Sequence, residues 1–155
     1  MKFFTDEKFA RGLSHTEYER YWLDNRDNLP AELLRMNGGM LPDSMLADTH
    51  DPICLHDARI QEQHFENGNL TILLHGDHNG ALRQILLQYI NADVEFPISA
   101  SLTKNTSDCD LLCHELTIDP DGRFDHRMMF ANSEIVALKF TAIEIGVQDD
   151  GIAGQ

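Results

Sequence analysis

The chain has 155 residues, 42% of them hydrophobic, and carries 26 Asp and Glu against 12 Lys and Arg for a formal net charge of -14. Such a surplus of acid excludes a protein built to grip phosphate backbones or anionic membranes, and it raises the encounter rate with cations and basic proteins. The length suits one globular domain, residues 1–147, whose core needs neither disulfide nor metal as a staple, with a loose tail at 148–155.

Helices come first. Thr5 is placed to cap a turn that runs through Phe9 and ends at Gly12, and Ser14-His15-Thr16-Glu17 has the pattern of a capping box that opens a second helix. Tyr18, Tyr21, Trp22 and Asn25 then recur at helical spacing, which turns an aromatic stripe toward the core. Pro30 suits the first turn of a short helix through Leu33, Leu34 and Met36, stopped by Gly38-Gly39, and residues 40–52 read as a connector. No apolar signal region follows Lys2, Phe3 and Phe4, and no stretch reaches membrane-spanning length, so the expectation is a cytoplasmic protein.

Strands follow. The run from Ile53 to Phe65 leads into Asn67-Gly68, a strong hairpin signal because both residues tolerate positive φ, and Leu70, Ile72 and Leu74 then alternate with Thr71, Leu73 and His75. Gly76 to Gly80 is a second turn. Residues 81–96 fit a helical and a strand pattern at once and are read as strand, and residues 97–107 as a polar loop. Leu111 to Ile118 and Phe124 to Phe130 form a second hairpin around Asp119-Pro120-Asp121-Gly122. A last strand follows Asn132-Ser133, with Val136, Leu138, Phe140 and Ala142 on one face and Ile135, Ala137, Lys139, Thr141, Ile143 and Ile145 on the other. The expected fold is α+β, N-terminal helices followed by an antiparallel β-sheet or partial barrel built from hairpins.

Candidate chemistry is sparse. Cys54, Cys109 and Cys113 are an odd set that favours reduced thiols, and Cys109, Cys113 and His114 lack the second ligand pair of a zinc site. The turn His75-Gly76-Asp77-His78 is the best metal candidate, with His56, His64, His114 or His126 as further ligands, but nothing in the spacing requires a metal or a cofactor. His56-Asp57 has the composition of a general base with its orienting carboxylate. Adjacent residues on a strand point to opposite faces, which argues against a working pair. No nucleophile elbow, phosphate-binding glycine loop or Lys/Arg cluster is present, so no catalytic residue is assigned and nucleic acid is not an expected partner.

Acid is densest between Asp93 and Asp125. Asp93, Glu95, Asp108, Asp110, Asp119, Asp121 and Asp125 are the candidate partner-binding residues; Glu115 lies among them, and Lys104 and Arg123 are the only bases in that stretch.

The opening Met1-Lys2-Phe3-Phe4-Thr5, the segment Leu55-His56-Asp57-Ala58-Arg59-Ile60 and the hairpins after it resemble a group of small bacterial proteins with an N-terminal helical part and a β-rich body. Some of those are similar to immunity proteins of polymorphic toxin systems, each of which blocks one toxin domain. The resemblance implies a binding protein and supplies no catalytic residue. Together with the charge it gives the leading expectation: an acidic immunity protein that neutralises a cognate basic toxin by stoichiometric binding, a nuclease being the natural class because a groove for phosphates is basic. A His-based or metal-dependent hydrolase and a housekeeping domain are the alternatives.

Overall fold

The computed structural model describes residues 1–76 and 83–149, so Asp77 and His78 of the candidate metal turn lie outside the described residues. The helices are short: α1 (Asp6–Ala10), α2 (Ser14–Asn25), α3 (Ala31–Arg35) and the single turn α4 (Asp43–Leu46) inside the expected connector. Thr5 caps α1 as its sequence implies, accepting the Lys8 N–H at 3.3 Å. The capping box of α2 does not form. Gly12, at φ 66°, closes α1 so tightly that Leu13 already takes helical dihedrals and receives the Glu17 N–H, which makes Ser14 the first helical residue instead of the cap. Glu17 pairs instead with Lys8 Nζ at 2.6 Å, tying α2 to α1.

Among the described residues eight strands follow: β1 (Arg59–Glu66), β2 (Asn69–His75), β3 (Arg83–Ile90), β4 (Asp93–Phe96), β5 (Leu111–Ile118), β6 (Phe124–Phe130), β7 (Ile135–Phe140) and β8 (Ala142–Asp149). They form two antiparallel sheets, ordered β1-β2-β3-β8 and β4-β7-β6-β5, so the molecule is α+β without a closed barrel. Both hairpins read from turn chemistry are present. Asn67 and Gly68 lie at φ 52° and 78°, and Gly122 at φ 85°. A Cβ at Gly68 or Gly122 would meet nothing within 4 Å, so replacement by Val should cost only the φ strain, about 1 kcal/mol each, read as a shift in urea midpoint. An unchanged midpoint in both variants would mean that these turns are not formed.

Residues expected to be one strand turn a corner. Asn91, at φ 51°, breaks the segment after Ile90, and Thr141 breaks the last strand after Phe140. The register continues across both breaks: Ile90 faces Ala142 in one sheet and Asp93 faces Lys139 in the other. A single two-stranded ribbon therefore belongs to both sheets. The corner shifts the alternation, so that Ile85, Leu87 and Tyr89 are buried on one side of it and Val136, Leu138 and Phe140 on the other. Arg123 staples the corner by donating to the carbonyls of Asn91 at 2.7 Å and Lys139 at 3.0 Å. β8 continues to Asp149, two residues into the expected tail, because Gln148 and Asp149 still pair with Gln84 and Arg83.

The helices cover the β5 edge of the second sheet. Tyr18 and Tyr21, one turn apart on α2, accept the N–H groups of Leu116 at 2.8 Å and Ile118 at 2.6 Å, so two tyrosine hydroxyls stand where another strand would pair. Tyr18 also donates to Asn37 Oδ1 at 2.7 Å, and Asn37 Nδ2 donates to the Leu33 carbonyl at 2.8 Å. Behind this network Gly38 presses on the backbone of Ile53, where an added Cβ would sit 2.6 Å from the carbonyl oxygen.

Candidate functional site

The candidate carboxylates divide into two groups. Asp93 and Glu95 on β4, Asp125 on β6, and Asp119 and Asp121 in the β5–β6 turn converge on the outward side of the second sheet, around Arg123, Arg127 and Lys139. Asp108 and Asp110 precede β5 instead, a strand's length of roughly 26 Å from Asp119 at ordinary strand rise, and Asp110 pairs there with Arg59.

Within the first group the cations are shared out. Arg127 holds Asp125 through Nε at 3.1 Å and Nη2 at 3.1 Å, and reaches Glu95 at 2.8 Å. Lys139 holds Asp119 at 2.9 Å, which keeps that carboxyl below its ordinary range, and Arg123 lies 3.8 Å from Asp93. Asp121 accepts the Arg123 backbone N–H at 3.0 Å. Five carboxylates thus surround three cations, and the face keeps a net negative charge. Asp125 is buried, whereas Asp93, Glu95 and Asp121 are exposed. Asp93, 3.8 Å from Arg123, and Asp121, which accepts only a backbone N–H, can meet a partner without first breaking a close ion pair, whereas Glu95 is exposed but already held by Arg127.

Glu115 lies beside the first group, directly across the β5–β6 ladder from Arg127, but is shielded from solvent. It is buried on β5 and accepts the backbone N–H groups of Lys2, Phe3 and Phe4, the last two at 2.8 and 3.3 Å. The opening Met-Lys-Phe-Phe-Thr motif has its physical basis here: three successive amides close on one carboxylate while Phe3 and Phe4 stack on Tyr18, Tyr21 and His15.

His56 and Asp57 correct the sequence reading. They occupy a turn, with Asp57 at φ 65° and the Ala58 N–H bonded to the Leu55 carbonyl, so the strand rule that sends neighbours to opposite faces does not apply. His56 Nδ1 and Asp57 Oδ1 are 2.8 Å apart, an imidazole oriented by a carboxylate on an accessible corner. The rest of this motif is structural: Leu55 and Ala58 are buried, and the backbones of Asp57 and Ala58 pair with Leu111.

A second imidazole pair lies in the core, which sequence reasoning did not connect. Tyr89 Oη is 2.8 Å from His126 Nδ1, and His126 Nε2 is 3.1 Å from His114 Nδ1. His114 Nε2 lies by the Met36 backbone without closing a hydrogen bond. The imidazole tautomers set the direction of this chain: when Tyr89 donates to His126 Nδ1, His126 Nε2 donates to His114 Nδ1 and the remaining N–H is that of His114 Nε2 beside the Met36 backbone. Burial holds His114 down to about 4 and His126 well below the ordinary imidazole range, so both are neutral at pH 7.

The three thiols are buried, and desolvation raises Cys113 to about 11. Among the described residues no three His, Cys, Asp or Glu side chains are grouped to hold a metal ion, and no helix is long and apolar enough to cross a membrane. No family model, curated protein or solved structure matches the chain.

Proposed function

We propose that this protein works by stoichiometric binding, as an acidic immunity protein that neutralises a basic bacterial toxin domain. The observation that carries the reading is the convergence of Asp93, Glu95, Asp119, Asp121 and Asp125, distant in sequence, on one face of the second sheet. Arg127 and Lys139 fix several of these carboxylates in place, so little side-chain freedom is lost when a partner's Lys and Arg approach. The net charge of -14 adds a long-range field of the sign that attracts such a partner. A nuclease domain fits best, since its phosphate groove presents clustered bases and an acidic sheet face copies the charge of its substrate.

The test is protection. In cells expressing a basic toxin domain whose gene neighbours this one, if such a gene is present, the parent chain should restore growth, and the double variant Asp93→Lys, Asp121→Lys should leave at least about tenfold fewer survivors. Both side chains are exposed, so folding should be little affected. Equal protection by the variant would remove this face from the binding site. The His56–Asp57 contact favours a second reading, a His-based hydrolase. The two separate on one variant: binding predicts that His56→Ala protects as well as the parent, and catalysis predicts that it does not.

A further inference from the structure

An apolar slot of about 360 Å³ lies between the β1–β2 hairpin and β4. On one side stand Gln63 and Phe65 of β1, and on the other Val94 of β4 with Pro97 and Ile98, over a floor formed by Leu70. Phe65 is 56% exposed and Phe96, at the end of β4, 46% exposed, an unusual cost for two aromatic rings so close to an opening. β1 and β4 are also edge strands of their sheets. Among the described residues no strand but β2 pairs with β1 and none but β7 pairs with β4; the gap is bridged by Gln63 Nε2 donating to the Ile98 carbonyl at 3.2 Å, and at its end by the Ala92 N–H donating to the Gly68 carbonyl at 2.7 Å.

We propose that this slot receives an extended segment of the partner protein, which adds to an open strand edge and inserts an apolar side chain between Phe65 and Ile98. The inference rests on the binding reading above and names how the partner is held. Unpaired edge amides and carbonyls supply main-chain hydrogen bonds, and the slot supplies specificity for alternate side chains. Charge decides the occupant. The only charged residue lining the slot is Asp93, it lies 3.8 Å from Arg123, and the chain around it is at -14, so the segment carries Lys or Arg between its apolar residues. A second copy of this chain is disfavoured by the same count, because two molecules each at -14 repel.

The probe is a blocked synthetic peptide, Lys-Val-Lys-Phe-Lys-Val-Lys, titrated into the isotope-labelled protein. Amide shifts and slowed hydrogen exchange are expected at Glu62 to Phe65 and Asp93 to Phe96, and Phe65→Ala should weaken binding by about tenfold. A peptide with proline in place of the central Phe, and one with Glu in place of every Lys, should bind far more weakly. Absence of binding, shifts confined to other surfaces, equal binding of the proline or Glu peptide, or the same shifts produced by raising the protein concentration alone would each overturn the proposal. Cell protection distinguishes the two levels. If Phe65→Ala protects as well as the parent while the Asp93→Lys, Asp121→Lys variant does not, the slot is wrong and the binding reading stands. If the peptide binds as described but the parent chain gives no protection, the slot stands and the immunity reading fails.

Discussion

Lowering the pH from about 7 to about 5 should cost this protein up to about 4 kcal/mol of unfolding free energy, most of it from His114 and His126. In the folded state both imidazoles have depressed pKa values because burial disfavours their charged forms. In the unfolded chain both titrate near 6.5. Below that value the unfolded state binds more protons, so stability is complete at higher pH and falls as acid is added, until His114 itself protonates near 4. Carboxylates held down by their partners, such as Asp51 between Arg35 and Arg83, lose their contribution only at lower pH, where unfolded carboxyls titrate. Easing of the acidic self-repulsion acts in the opposite direction, so the sign of the change decides which effect is larger. Urea titrations at half-unit pH steps measure it. His126→Leu should roughly halve the slope whatever its absolute stability, since one of the two proton-binding sites is gone. A pH profile between about 7 and 5 that is the same in the parent and in His126→Leu would mean that the pair is not buried and neutral.

Tyr18→Phe should be nearly as damaging, by roughly 3 kcal/mol, although it removes a single oxygen atom. That oxygen accepts the Leu116 N–H and donates to Asn37 Oδ1, and Tyr18, Leu116 and Asn37 are all fully buried. Removing it strands a backbone donor and an amide acceptor where water does not reach. Tyr21→Phe is the internal control. Its hydroxyl bonds the Ile118 N–H in the same way, but both residues are partly exposed, so water can take its place and the loss should stay below about 1 kcal/mol. Equal urea midpoints for the two variants would contradict the account of the covered sheet edge.

What could be read from the sequence is what local chemistry decides. Asn67-Gly68 and Asp119 to Gly122 announce hairpins because positive φ is a property of those residues themselves. The aromatic stripe of α2 is legible from its spacing, yet the hydroxyl bonds of Tyr18 and Tyr21 are not, since their partners sit almost a hundred residues away. The corner at Asn91 and Thr141 was hidden because one left-handed residue interrupts an otherwise continuous alternation. Proximity in sequence also misled. Asp108, Asp110 and Glu115 count toward an acidic stretch, but one strand separates the first two from the carboxylate face, and Glu115, on the same side of the sheet as Arg127, is covered by the N-terminal segment whose amides it accepts. His56 and Asp57 form a pair because a turn, which their apolar neighbours disguise as a strand, brings them together.

Association kinetics with the proposed toxin partner, measured as a function of salt, test the central claim most directly. Carboxylates acting at long range predict an association rate that falls by about tenfold or more between about 0.05 and 0.5 M NaCl, as the screening length shortens, with a dissociation rate that changes much less. The Asp93→Lys, Asp121→Lys variant should start slower at low salt and respond less steeply. An association rate that is flat with salt, and the same in parent and variant, would show that the acidic face does not recruit the partner.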